Sequence, residues 1–569
     1  MNRSGSFSGQ FSPANHGLPV AAGAVPPNAN WTIRSNFGVM LHGEIHNIEA
    51  LRQDLDLAAG LSPPDVLLAG WARWAERLLP RLDGVFALAL RCGARLLLYR
   101  DPSGLRGLYV HAGPADKFSF GTDLNRLVRL PGVPCRLARA SLHEYLRFGD
   151  IAPPRTIYDE VFSVEPGHLI WVSATGIATQ VPQPPENGEP EPANFAHAID
   201  QLDEYLNNSI ASRLGGAKHP AAFLSGGVDS SLLCALAARQ RPDLTTVTVG
   251  FEGDRFDESP IAARIAAHLG LTHEVLRFGR RDCLSGFERL AAGAEQPTAD
   301  PATAVTVLAF EHCRHHFDAV LDGTGADEAV GLMPPRHVRL AVGYASLLSP
   351  ALRAGLTKLL RSVPALASYT PLTDFEHPAE TMMRWKGFAR AEVQSLSGED
   401  VSFEQTRFYR TYRAHPRFAH FKRYSALIDA MPCDRLSQAT LLTGLPVRYP
   451  YCERATDHFI RQLRTEHRHL PGQPKRILRD LLARHVPRHI WDTAKHGFDF
   501  PLRDFLIADE YALVKEYLDD GFWMARGVLE PGLVRQYATR FIAGDMSLTF
   551  RVWMLVQLGA WLKEHGTIH

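Results

Sequence analysis

Residues Phe223-Leu224-Ser225-Gly226-Gly227-Val228-Asp229-Ser230-Ser231 run from an apolar strand through a glycine- and hydroxyl-rich turn into an apolar helix, an order few folds can accommodate. It is an anion-binding design. Two glycines let the backbone approach a phosphate, the amides of the turn point at it, and Ser225, Ser230 and Ser231 add hydroxyl donors. Asp229 does not belong in a bare anion site. A carboxylate among phosphate donors makes sense when a cation, most simply Mg2+, sits between it and the phosphates. The spacing is not Gly-x-x-x-x-Gly-Lys-Ser/Thr, which has lysine where this chain has aspartate. The alternative, an ordinary Gly-Ser turn, is disfavoured by the strand-turn-helix context.

A length of 569 residues predicts two domains, since single cores stop growing near roughly 250 to 300 residues. The 61 basic side chains balance 61 acidic ones, so there is no counterion-release drive toward nucleic acid. The arginine-rich stretch from Arg277 to Arg281 reads as a solvated loop. Seven scattered cysteines without Cys-x-x-Cys spacing indicate neither disulfides nor a zinc site, and they suit a reducing cytoplasm. Histidine pairs such as His315-His316 lie side by side rather than at ligand spacing and read as surface residues. No signal peptide or membrane-length apolar run is present, so neither export nor a membrane partner is expected.

Residues 183–194, rich in Pro and Glu, form neither helix nor central strand and mark a linker between domains 1–182 and 195–569. Before it, short runs at Phe37 to Leu41, Val85 to Arg91, Arg95 to Tyr99, Leu108 to His111, Lys117 to Gly121 and His168 to Val172 predict an antiparallel sheet domain. Helices are expected at Asn47 to Leu57 and Val66 to Leu79. After the linker, strands at Ala221 to Leu224, Leu244 to Phe251, His273 to Phe278 and Ala319 to Leu321 alternate with helices, which predicts a doubly wound parallel sheet with ligands beyond its carboxyl ends. From about His337 a helical extension follows, with an arginine-rich, poorly periodic middle from Glu376 to Arg423.

Downstream of the glycine loop stand Thr248-Val249-Gly250-Phe251, Asp257-Glu258-Ser259, Glu295-Gln296-Pro297 and Asp322-Gly323-Thr324-Gly325-Ala326-Asp327-Glu328, then Arg448-Tyr449-Pro450-Tyr451, Lys475-Arg476-Ile477-Leu478-Arg479 and Lys495-His496-Gly497-Phe498. In this order they resemble the synthetase domain of the asparagine synthetase superfamily over nearly all of residues 195 to 510, and the first loop resembles the pyrophosphate loop of ATP pyrophosphatases. The resemblance implies ATP bound by Ser225, Gly226, Gly227, Asp229, Ser230, Thr248, Gly250 and Gly325, with Mg2+ on Asp229 and Asp327. For Asp327 the alternative is a helix N-cap, and the two roles can coexist. Lys495 matches the catalytic lysine and Lys475 the pyrophosphate contact, the alternative for Lys475 being a solvated charge at a helix start. Phe251 reads as core rather than as a stacking platform.

In the first half, Leu41-His42-Gly43-Glu44-Ile45-His46-Asn47, Leu82-Asp83-Gly84-Val85-Phe86-Ala87 and Arg100-Asp101-Pro102-Ser103-Gly104 resemble the glutaminase domain of the same enzymes, an antiparallel β-sandwich of the N-terminal-nucleophile hydrolase type. Those glutaminases expose a cysteine after the initiator methionine; here position 2 is Asn2, and no cysteine precedes Cys92. Their asparagine before Gly-Glu is His42 here, and their Arg-Gly-Pro-Asp motif is missing. A processed Ser4 or Ser6 would be the remaining nucleophile.

An ATP-dependent, AMP- and pyrophosphate-forming amide ligase with a degenerate glutaminase domain is therefore expected, like the lasso-peptide macrolactam and β-lactam synthetases. Thr324 stands where glutamine-dependent members carry glutamate and β-lactam synthetases a tyrosine, and it can act as neither. That leaves peptide macrocyclisation first, acting on a precursor peptide with a companion protease. An asparagine synthetase fed by ammonia or a partner glutaminase is the alternative, and a β-lactam synthetase-like cyclase the second.

Overall fold

The computed structural model describes residues 6–11, 30–34, 37–113, 117–182, 192–251, 258–383, 387–416, 419–432, 434–492 and 500–566. Up to Gln180 the chain builds two stacked antiparallel sheets. One has the order Gly176–Gln180, Leu169–Ser173, Arg95–Arg100, Gly84–Cys92, Phe37–Ile45, Asn30–Arg34; the other has Ser8–Phe11, Phe118–Gly121, Tyr109–Ala112, Phe162–Ser163. Side-chain alternation sorts the two faces of Gly84–Cys92. The small Ala87 and Ala89 meet Phe118 and Phe120 between the sheets, and the large Phe86, Leu88 and Leu90 meet Leu67 and Trp71 of the helix Pro63–Trp74. The helix expected through Leu79 stops at Trp74, where Ala75 takes φ 50°, and the chain continues as a 3-10 helix, Ala75–Arg81, containing Pro80. The other expected helix is shortened to Ile48–Asp54.

The second half centres on five parallel strands in the order Thr272–Phe278, Thr245–Phe251, Pro220–Phe223, Ala319–Leu321, Val447–Arg448. The first strand of the chain order is central, so the winding reverses between Pro220–Phe223 and Ala319–Leu321, where a doubly wound sheet opens a crevice. One face of the sheet packs against Phe195–Leu214, Val228–Gln240 and Arg476–Leu482 through Leu202, Leu232, Leu236 and Leu481. The other packs against Ala302–His316 and Asp434–Thr443 through Val307, Phe310, Leu436 and Ala439. Arg277 to Arg281, expected as a loop, ends the strand Thr272–Phe278 and starts the helix Arg280–Gly293, whose Asp282 carboxylate accepts from Gly279 N at 2.9 Å.

The poorly periodic stretch after Glu376 folds as the short helices Glu380–Met383, Arg390–Ser397 and Arg407–Arg413 around one residue of the first half. Arg147, fully buried on the helix Arg139–Phe148, pairs with Glu380 at 2.7 Å and donates to Val401 O at 2.9 Å. The hydrophobic core likewise crosses between the halves. Tyr145 donates to Met554 O at 2.9 Å, and Tyr158 packs on Trp561, both on the helix Thr549–His565, which is buried continuously from Val552 to Leu562.

Candidate active site

Two loops leave the neighbouring strands at the crevice. In the first, Gly226 takes φ +78°, and the loop is tied internally: Ser225 N donates to Ser230 Oγ at 3.1 Å, the two hydroxyls lie 3.0 Å apart, and Gly227 N donates to Ser225 Oγ at 3.3 Å. In the second, Thr324 N and Oγ1 donate to Asp322 Oδ1 at 2.9 and 2.5 Å, which turns the chain into the helix Ala326–Val330. The loops touch through backbone. A Cβ on Gly323 would lie 3.2 Å from Ser230 N, so glycine there lets Asp229 and Asp327 face one space. Tyr451 braces the first loop from behind, donating to Asp229 O at 3.0 Å.

Lys475 joins the two carboxylates. Its Nζ lies 2.5 Å from Asp229 Oδ2 and 2.7 Å from Asp327 Oδ1. The residue takes φ 55°, ψ 38°, between the hairpin His469–Leu470/Gln473–Pro474 and the helix Arg476–Leu482, and that helix is held against Val228–Gln240 by Ile477, Leu478 and Leu481. Lys475 is thus not a solvated helix-start charge. Burial pulls its ammonium toward neutrality, and Asp229 and Asp327 more than offset this, leaving its pKa above the ordinary lysine value. A pair of carboxylates already sharing one cation is a donor set that fits Mg2+ as well. Among the described residues no three His, Cys, Asp or Glu side chains cluster as a metal site, so phosphates and water would complete the shell.

A cavity of about 580 Å3 spreads from these loops. Ser225, Gly227, Asp229, Ser230, Thr248, Gly250, Gly325 and Asp327 line it as expected, whereas Gly226 and the fully buried Ser231 do not. The Thr248 hydroxyl is spent on Leu224 O, which leaves backbone as its contribution. Phe251 is both core and wall, packing edge-on against Phe500 at 5.5 Å. Lys495, Asp257 and Asn2 lie outside the described residues. Away from the loops the wall is largely apolar, with Phe148, Phe310, Ile428, Met431, Leu436 and Phe550, and its charged members are Asp150, Glu258, Asp300 and Arg435. Arg435 lies 3.7 Å from Asp300, and Asp150 accepts from Thr298 Oγ1 at 2.9 Å. Sequence reasoning missed this half of the cavity. Glu295 proves to be a tie between the halves rather than a cavity residue, accepting from Tyr109 OH at 2.8 Å and Leu124 N at 2.6 Å.

The family model described as Asparagine synthase matches residues 201–563. The chain belongs to the asparagine synthase family. Membership makes this asparagine synthase-family protein a carbon–nitrogen ligase that uses ATP. A Glutamine amidotransferase domain model matches residues 27–182. Asparagine synthetase (glutamine-hydrolyzing) 1 of Bacillus subtilis is 25% identical over 507 residues, covering 83% of this chain and 77% of its own. A Mycobacterium tuberculosis protein, named as a candidate asparagine synthetase (glutamine-hydrolyzing), is 25% identical over 580 residues, covering 95% of this chain and 86% of its own.

In this asparagine synthase-family protein the amidotransferase-like half packs its Gly43-Glu44 turn tightly against the neighbouring strand. Gly43 takes φ +105°, and a Cβ there would stand 2.1 Å from Val85 O, so the Gly-Glu turn has no room for another residue. Glu44 is engaged across the interface, accepting from Arg448 Nε at 3.2 Å. Burial, then Arg106 and Arg126, push buried His42 down to about 3, so its ring is neutral at pH 7. Burial also pushes Asp101 up to about 6, although it accepts from Phe86 N and Ser103. Ser6 is buried, at the start of the first strand's approach.

Proposed function

We propose that this ligase adenylates a carboxylate of a peptide and joins it to the same peptide's α-amine, closing a macrolactam without hydrolysing glutamine. The carboxylate oxygen attacks the α-phosphorus of ATP and pyrophosphate leaves; the amine then attacks the acyl carbon, AMP leaves, and the amine gives up a proton. The observation that carries this reading is the apolar wall beyond the phosphate loops. Free aspartate would bring two carboxylates and an ammonium, and burying them requires charged partners. Here the one arginine on that wall already has Asp300 beside it, whereas a peptide segment finds Phe148, Ile428, Met431 and Phe550. Thr324, its hydroxyl held by Asp322, offers no base for β-lactam closure.

In this reading Asp229 and Asp327 hold Mg2+, which supplies charge neutralisation on the phosphates. Ser225, Ser230 and the loop amides bind the pyrophosphate end, backbone at Thr248 and Gly250 holds adenine, and Lys475 stands where the departing pyrophosphate collects negative charge. Lys495 is assigned to the oxyanion of amine attack. The first-half residues 1–182 act as a partner fold, joined by 183–194 to the synthetase residues 195–569, in a cytoplasmic enzyme.

The test is the product spectrum of the purified protein with Mg-ATP. L-aspartate with ammonium should give no asparagine. A linear peptide with a free α-amine and an Asp or Glu side chain at ring-closing distance from it, taken from any short reading frame found beside this chain's gene, should lose one water in mass with one AMP and one pyrophosphate formed. Asparagine from aspartate and ammonium would favour the synthetase named in the relatives, and ADP as product would remove adenylation altogether.

A further inference from the structure

Between Glu328 and Asp374 the sequence has no aspartate or glutamate, while Arg336, Arg339, Arg353, Lys358 and Arg361 are all basic. The stretch folds as the helices Arg336–Ser346 and Pro350–Ser362, followed by 3-10 turns at Pro364–Leu372. Its attachment is slight. Val342 and Ala345 bury against Phe375, and the Thr357 and Thr373 hydroxyls pair at 2.9 Å. The opposite side of the first helix carries Leu340, Tyr344 and Leu347 at i, i+4, i+7 spacing, and on the second helix Leu352 and Leu359 stand two turns apart. These side chains project. Tyr344 is 72% exposed, Leu347 81%, Leu352 65% and Leu359 59%, whereas residues lining a groove are partly covered by its walls. Arg336 and Lys358 are exposed on the same helices, while Arg353 is turned inward, donating to Phe375 O at 2.9 Å.

We propose that this two-helix unit seats the enzyme on an anionic phospholipid bilayer. Projecting leucines and a tyrosine flanked by cations sink into a soft anionic medium without needing a preformed pocket for each. The helices would lie in the headgroup plane, because no described helix is long and apolar enough to cross a membrane. Tyr344 and the half-exposed Tyr369 carry amphipathic rings suited to that depth. The sequence expectation of no membrane partner rests on the missing spanning segment, which peripheral docking does not require. The site is independent of which amide the cavity makes.

The test sediments the purified full-length protein, without nucleotide, with unilamellar vesicles of phosphatidylcholine alone or mixed with phosphatidylglycerol. Binding is expected only to the mixed vesicles, weakening severalfold as salt rises. Tyr344→Glu/Leu347→Glu and Arg336→Glu/Lys358→Glu should each lower vesicle affinity by about tenfold or more while keeping the parent's far-UV spectrum and Tm, because the replaced side chains are exposed. Failure to bind mixed vesicles, equal binding to both kinds, or variants that bind like the parent would overturn the proposal. So would a dimer in solution that the Tyr344→Glu/Leu347→Glu variant dissolves, since that assigns the face to a second copy of the chain.

Discussion

Removing the Lys475 ammonium leaves the Asp229 and Asp327 carboxylates facing each other across one space. Lys475→Met should therefore lower Tm in a metal-free buffer, and Mg2+ alone should raise the variant's Tm more than the parent's by taking over the lost cation's place. A Mg2+ response equal to the parent's would mean that the two carboxylates do not form an ion site. In single turnover, Lys475→Met and Lys495→Met should each slow the reaction roughly a hundred- to thousandfold, about 3 to 4 kcal/mol, with smaller changes in ATP binding. Glu144 gives a prediction in pH. Burial pushes its carboxyl from 4.5 up to about 7, against the Ala152 amide and Arg155. A folded pKa above the unfolded one means the folded chain holds the extra proton between those values, so stability falls as pH rises through that window. Glu144→Gln still accepts from Ala152 N, and it should match the parent near pH 5 and exceed it by about 1 to 3 kcal/mol at pH 8. Coincident Tm–pH profiles would assign Glu144 an ordinary carboxyl.

Among elements, the helix Arg139–Phe148 ties the two halves together, because its Arg147 holds Glu376, Glu380 and Val401 O of the second half. Arg147→Met removes a buried cation 2.7 Å from Glu380, itself 1% exposed, and should cost about 3 to 5 kcal/mol. Adding Glu380→Leu to that variant should restore much of the loss; a double variant no more stable than the single one would show that Arg147 acts by packing alone. The same helix explains which elements were legible in sequence. Strands with alternating faces, such as Gly84–Cys92, and glycine loops with positive φ, such as that at Gly226, announce themselves locally. Glu380–Met383 and Arg407–Arg413 do not, because their fold is dictated by a buried arginine more than two hundred residues away and by Phe148 packed on Phe408. The two-residue strand Val447–Arg448 is too short for any period. Asp150, Asp300 and Arg435 meet only in tertiary structure, so the apolar half of the cavity left no trace in sequence, while the half at the glycine loops left its whole motif.

At the scale of the whole molecule, the proposed function has no glutaminase step, a reading supported by Asn2 at the second position, by buried His42 ahead of Gly43-Glu44 and by Glu44 engaged with Arg448. Glutamate release from glutamine in the presence of Mg-ATP should stay at background. Release above background that is abolished by changing Asn2 would restore a glutaminase role to this half. Its retention has a physical cause in the shared core. Leu142, Tyr145, Leu146 and Tyr158 of the first half are buried in one cluster with Phe287, Phe505, Trp553 and Trp561 of the second. Polar ties cross with them, among them Tyr145 to Met554 O, Tyr109 and Leu124 to Glu295, Glu44 to Arg448, and Arg213 to Asp83 at 3.2 Å. Removing residues 1–182 would expose that face of the helix Thr549–His565, and each large side chain uncovered forfeits about 1.5 to 3 kcal/mol, against a total stability of about 5 to 15 kcal/mol. Residues 195–569 expressed alone should therefore be insoluble or molten, and co-expression with residues 1–182 as a separate chain should recover a soluble complex. A soluble 195–569 fragment with a cooperative thermal transition and ATP–pyrophosphate exchange at the parent's rate would show two independent domains, and the first half would then need a function of its own to explain it.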